Sequence, residues 1–321
     1  MIRCAVLFCF ASVMCWGCSG GKDREVSGSG PGAAFNTYWR QGKAELSRFA
    51  LSQNRYRGNH PGEVVQIFVT EDFLTDRQVK NERYTGRHSA PVLKLNAIHR
   101  FATGIYDYSV MTSVFSPIHA DGISFPFKLT NSAQDWCGQS FMQVNRLNKH
   151  LKIFWNAYFE LEGDAGIAIP LVLMEDGIWC QIRIDPDALP TGRFRILPAL
   201  AYFRLMHIPV KVYAAEGGSY AYRGNRFPGA QLRVYRVHYP ELQRTLEIVY
   251  ESTPPYRIAG WEETHPSLGD KKIRRTVAIR THTILSPYWQ LNGSADLPWR
   301  DSLGMSGFSG LQEEGQGDFR Q

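Results

Sequence analysis

The stretch Asp135-Trp136-Cys137-Gly138 sets a carboxylate, an indole and a thiol side by side, the residue types of sulfur-based nucleophilic catalysis. A thiol attacks as the thiolate and needs a base within hydrogen-bonding reach. His99, His119, His150 and His207 are the histidines that would have to supply it. Glu262-Glu263, next to Trp261, is a second reactive pair, because glycoside hydrolysis needs two carboxylates flanking one bond. Neighbouring residues on a strand point to opposite faces, so at most one of these glutamates enters a given pocket. Asp135, Trp136 and Glu262 are therefore the site candidates. They are weighed against a plainer reading, with Cys137 as a buried or disulfide-bonded strand residue and the glutamates as solvated charge. The nine histidines form no HxH or HExxH pair, and the body of the chain holds no GxSxG elbow or GxxxxGK[ST] loop, so no metal or other cofactor is expected.

One cysteine has a clearer chemistry. Arg3 and a 13-residue apolar run, AVLFCFASVMCWG, precede Cys18, and Ser19-Gly20-Gly21 follow it. The run is too short to span a bilayer and has the length of a signal-peptide core. Gly17-Cys18 at its end resembles the lipobox of bacterial lipoproteins, in which the thiol is alkylated, the peptide is cut before the cysteine and the new N-terminus is acylated. Several acyl chains anchor where a single one is marginal. Residues 1–17 are thus expected to be a lipoprotein signal peptide, Cys18 the lipidation site, and residues 18–34 a Ser/Gly-rich tether. The expected location is a bacterial cell envelope, on the outer membrane where one exists. Once the signal and Cys18 are set aside, Cys137 and Cys180 are the only thiols, and in an exported chain such a pair suggests a disulfide.

Positioning these groups falls mostly to strands. "LKIFWNAYFELE" alternates Leu151, Ile153, Trp155, Ala157, Phe159 and Leu161 with Lys152, Asn156, Glu160 and Glu162, and "RTLEIVYE" and "RTVAIRTHTIL" repeat the pattern. This is the signature of half-buried antiparallel strands. Further strands are predicted at 45–56, 63–70, 92–100, 104–116, 123–130, 138–146, 193–197, 208–214 and 230–239, with a hairpin turn at 145–150. Behind Pro170, Leu171, Met174, Ile178 and Ile182 recur at helical spacing and predict an amphipathic helix ending at Asp185-Pro186; a smaller helix is predicted near 36–43. The fold class is mainly β: a large antiparallel sheet or open β-barrel with one or two short packed helices. A single domain is read over 35–300, with 301–321 as a disordered tail.

"YWRQGKAEL" (38–46), "FVTEDF" (68–73), "TGIYDYS" (103–109), "DWCGQSF" (135–141), "GWEETH" (260–265) and "SPYW" (286–289) together resemble a family of exported bacterial lipoproteins, seen mainly in the Bacteroidetes. Members are often labelled "septum formation inhibitor Maf". Maf proteins proper are cytosolic pyrophosphatases of α/β fold with a Ser-x-Ser-Pro-Arg-Arg loop, and this chain has no such loop. The resemblance implies an exported, lipid-anchored protein and supplies no catalytic residues.

Charge narrows the partners. The chain carries 36 basic and 30 acidic residues, a net +6 that becomes +5 once Arg3 leaves, without a dense Lys/Arg block. That pattern argues against nucleic acid and favours anionic head groups. The expected partners are the membrane, through the N-terminal lipid, and an apolar or amphipathic ligand or another envelope protein. A non-catalytic binding domain is the first functional reading. The alternatives are an envelope hydrolase on the same sheet and a structural subunit docking through an exposed strand edge.

Overall fold

A computed structural model describes residues 32–84, 88–118 and 122–305. Cys18, the leader, most of the tether, His119 and residues 306–321 lie outside the described residues. The fold is mainly β and built on one sixteen-stranded sheet, as the alternating patterns require. A short helix, α1 (Ala33–Trp39), leads into β1 (Ala44–Arg55), the middle strand of the sheet. One arm then grows from β1 through β2 (Gly58–Leu74), with the two-residue β3 (Val79–Lys80) paired to its end. It continues through β4 (Ser89–Thr103), β5 (Tyr106–Pro117), β6 (Lys128–Asp135), β7 (Gly138–Leu147), β8 (His150–Ala157) and β9 (Asp164–Pro170). The chain next forms β10 (Leu173–Met174), α2 (Glu175–Ile184), β11 (Gly192–Leu197) and α3 (Leu200–Met206). It returns to the centre through β12 (Tyr213–Ala221), β13 (Leu232–Tyr239), β14 (Arg244–Glu251), β15 (Ile258–Pro266) and β16 (Ile273–Ser286), which pairs with the free side of β1. All pairs are antiparallel except β10 with β11.

The two edge strands, β9 and β10, are consecutive in sequence, with only Leu171 and Val172 between them. Three peptide steps span at most about 11 Å. The sheet therefore curls until its ends meet at that link, yet no ladder joins them, and the barrel stays open along a seam. Antiparallel pairing also sorts the turns: the β1–β2, β4–β5, β6–β7 and β8–β9 hairpins all lie at one end of the barrel, here the hairpin end. The start of β1, and with it α1, lies at the other.

Strand alternation separates two faces. Phe49, Phe68, Leu95, Val144, Ile153, Tyr235, Ile248 and Trp261 face inward and form the main core. Leu46, Val65 and Ile67 face outward and are covered by the 3-10 segment Ser294–Leu303, whose Leu303 is buried. The folded body thus runs past residue 300, and the segment 301–303 expected in the tail packs on the sheet.

The interior is filled by α2, and here the helix expectation is corrected. Residues 164–170 are strand, the helix begins at Glu175 rather than behind Pro170, and nine of its ten residues are buried. It is not amphipathic in use, because its charged groups are paired inside. Arg183 binds Glu45 of β1 at 2.5 and 2.7 Å, donates from Nε to Pro255 O at 2.9 Å, and lies between Trp39 and Phe68. At the other end of the helix, Glu175 takes both terminal nitrogens of Arg244 at 2.5 Å. Buried ions of this kind persist only when paired. Gly177 is explained by close approach, since a Cβ there would lie 2.8 Å from Pro126 Cγ. Two further expectations shift: β8 ends at Ala157, leaving Leu161 99% exposed instead of in the strand face, and the strand predicted at 123–130 starts at Lys128.

Candidate functional site

The inside of the barrel holds two cavities, and α3 is the wall between them. Ala201, Tyr202, Leu205 and Met206 face a smaller chamber of about 90 Å³ beside α2. Phe203, Arg204 and the following His207 face a cleft of about 660 Å³ that opens at the hairpin end. Asp176 ties the two helices together, its carboxylate accepting from Leu200 N at 2.9 Å.

Polar side chains from both arms converge on the chamber. Arg244 is held between Glu175 and Glu263, and Tyr239 donates to Glu175 at 2.5 Å. Burial opposes the Arg244 charge, but the two carboxylates raise it well above the usual range. Burial likewise opposes the Glu263 charge, and Arg244 overcomes it, so Glu263 is held below the ordinary carboxylate range. Burial pushes Asp176 up to about 7; the Leu200 N–H works against this and Glu175 adds to it. His99 moves the other way, down to about 4, because burial outweighs the nearby Glu263. Asn54, His265 and Ser267 bond to one another, and Gln53 donates to Thr276 at 3.2 Å. A space of about 90 Å³ suits a few ordered waters, not a substrate.

The cleft has the opposite character. Phe141, Met142, Trp155, Phe159, Phe203, Ile208 and Val210 line it, drawn from β7, β8, the 158–163 turn, α3 and the chain leading to β12. Its strand residues thus come from one arm of the sheet, and α3 with residues 207–210 forms the facing wall. Arg204 is the one buried cation of its lining: Nη2 reaches Asp135 at 3.3 Å, Nη1 reaches His207 Nε2 at 3.5 Å, and Phe159 covers one guanidinium face at 4.5 Å. Its Nε has no partner among the described residues. His207 ends α3 with φ 52°, the left-handed position that usually falls to glycine, and its Nδ1 bonds Glu162. Glu160 and Glu162 place acidic groups in the lining beside Arg204 and His207.

The sequence candidates are distributed unevenly. Asp135 does join the site, since it fixes the β6–β7 turn through Cys137 N at 2.7 Å and meets Arg204, which in turn meets His207. Trp136 lies outside it, 69% exposed at the hairpin tip. Glu262 is on the outer face, paired with Arg226 and Arg275, and its neighbour Glu263 is the one that turns inward. The disulfide expectation is corrected, for both thiols are free. Cys137 is exposed in a turn, whereas Cys180 is enclosed in α2 with Sγ 3.6 Å from Leu93 O and its thiol pushed up to about 12 by burial. The hydrolase reading finds no base bonded to Cys137 among the described residues. No group of three or more metal-ligating side chains occurs among them either.

Arg204, Phe203 and the α3 wall were missed in sequence reasoning. The available signal was Leu200, Phe203 and Arg204 at helical spacing between Pro198 and Pro209, too short a run to stand out. The fold and the cavities define an open β-barrel wrapped round a buried helix, with an apolar cleft between β7–β8 and α3. Comparison with family models, with characterised proteins and with solved structures returned no match.

Proposed function

We propose that this is a lipid-anchored protein of the bacterial cell envelope, tethered through Cys18, whose barrel binds one amphipathic small molecule in the cleft between β7–β8 and α3. The observation that carries the reading is the cleft itself. Its volume of about 660 Å³ falls within the ~300–1,000 Å³ usual for small-molecule sites, and its walls are apolar around a few polar groups. Asp135 beside Arg204, with Glu160 and Glu162 in the lining, favours an uncharged head over an anion. Retention of an apolar or amphipathic molecule by the purified chain tests this: native mass spectrometry should show added mass, and the uncharged dye Nile red should bind saturably at one site.

A second reading, docking of another envelope protein onto a strand edge, draws on β9. That strand pairs only with β8 among the described residues and is largely exposed. It would gain if the cleft bound nothing while a β9 proline substitution abolished assembly with a partner. Anchoring is tested separately, since Cys18→Ser should abolish incorporation of labelled fatty acid and leave the leader uncut. Among the described residues no helix is long and apolar enough to cross a membrane.

A further inference from the structure

The hairpin end carries a group of large apolar side chains that the core does not use. Ile105 in the β4–β5 turn is 84% exposed, Trp136 in the β6–β7 turn 69%, and Tyr158 and Leu161 in the β8–β9 turn 70% and 99%. Antiparallel pairing brings these three turns to the same end of consecutive hairpins. Contacts link them as well: the Trp136 ring lies 6.5 Å from Tyr106, and a Cβ on Gly138 would meet the Tyr158 ring at 3.2 Å. Leu161 continues into the lining of the cleft, so the group forms one lip of its mouth. Single exposed apolar residues need no explanation, but a contiguous set at the tips of neighbouring hairpins marks an interaction surface.

We infer that these tips insert into the interfacial layer of a bilayer and set the mouth of the cleft against the lipid, an inference that rests on the cleft being a ligand site. Its continuity with an apolar cleft favours lipid over a protein partner, because a molecule leaving the acyl layer would pass along Leu161 without crossing water. An indole and a phenol belong at that depth, where their apolar bodies are buried and their polar edges stay wet. Asp107, Glu160, Glu162 and Asp164 flank the tips, so apolar insertion and not charge drives the contact. The anchor permits this orientation. Fourteen residues lie between Cys18 and Ala33, a contour of up to about 50 Å. The twelve residues of β1 span about 40 Å.

The test uses the Cys18→Ser chain without residues 1–17, so that neither an acyl anchor nor the apolar leader contributes. Flotation with phosphatidylcholine vesicles should carry the protein up, and replacing 30% of the lipid by phosphatidylglycerol should not strengthen binding. Lipids brominated on the acyl chain should quench Trp136 emission, a signal absent from Trp136→Ser. The double variant Ile105→Ser/Trp136→Ser should lose vesicle partitioning at least tenfold while still binding Nile red in solution. Absence of flotation with either lipid, with Nile red still bound, would overturn the inference and leave the cleft reading standing. Binding that needs the anionic lipid, or that survives in the double variant, would overturn it as well. Failure to bind either vesicles or dye would remove both.

Discussion

The chamber and the cleft lie back to back across one seven-residue helix, and they solve opposite problems. In the chamber, every strand that contributes a charge meets a partner from another element: Glu175 of α2, Arg244 of β14 and Glu263 of β15 close on one another. In the cleft, the single buried cation is held by two long contacts and leaves one donor free. Arg183, Arg244 and Arg204 make the contrast within one residue type. The Nε of Arg183 meets a carbonyl and that of Arg244 a carboxylate, while that of Arg204 meets nothing among the described residues. The paired Arg183 and Arg244 help specify the core, whereas Arg204 lies under Phe159 with its Nε shielded and unpartnered, as is the Nε of buried Arg55.

The sharpest way to break this comparison is Arg244→Met, which leaves two buried carboxylates facing each other. Stability should fall by about 3–5 kcal/mol in denaturant unfolding, the cost of breaking a buried ion pair from one side. A loss below about 1 kcal/mol would mean that the triad is hydrated and the chamber is no core. Filling the cleft should do the reverse. Ala157→Trp places a large side chain on its wall, and Nile red affinity should fall tenfold or more while the unfolding midpoint stays nearly fixed, as expected for a half-exposed position.

A smaller effect follows from two chamber groups with opposed titrations. The folded Asp176 carboxyl sits near 7, above its unfolded value of 3.8, so the native state holds its proton more tightly. Its contribution to stability is largest at low pH and falls as pH rises from about 4 to 7. The folded His99 sits near 4, below 6.5, so its contribution is present above 6.5 and lost as pH falls towards 4. Between pH 4.5 and 6.5 the two slopes oppose each other. Asp176→Asn removes one of them, and unfolding free energy should then rise with pH through that window, by at most ~1.4 kcal/mol per unit for one proton. A variant whose profile matches the parent would show that Asp176 does not titrate there. The smallest effect concerns the thiols. Cys137 should alkylate in the folded protein and Cys180 only after unfolding, with Cys137→Ser changing stability by less than about 0.5 kcal/mol; peptides joined through both cysteines would reverse that assignment.

Period-2 alternation made the sheet legible, because each inward strand position must be apolar and each outward one wet. Strands such as 44–55, 150–157 and 244–251 fall close to where the residues place them. What the pattern hid was the interior. Glu175, Asp176 and Arg183 read as the solvated side of a helix because sequence shows charge but not its partner, and those partners lie 138 residues away at Glu45 and 69 at Arg244. The cleft was hidden for a related reason. Its walls come from β7, β8 and α3, segments that no local spacing connects, and only the packing of α3 inside the curled sheet brings them face to face. Asp135 was chosen as a carboxylate beside a thiol and enters the site instead through Arg204, whereas Glu262 was chosen over Glu263 without knowing which face was inside.

The central claim is that the cleft between β7–β8 and α3 is a site for one amphipathic molecule, and titration of the Cys18→Ser chain without residues 1–17 with Nile red tests it most directly. The account predicts saturable binding at one molecule per chain, lost on Ala157→Trp and retained on Ile105→Ser/Trp136→Ser. Binding that fails to saturate, or that the cleft-filling substitution leaves untouched, would contradict it.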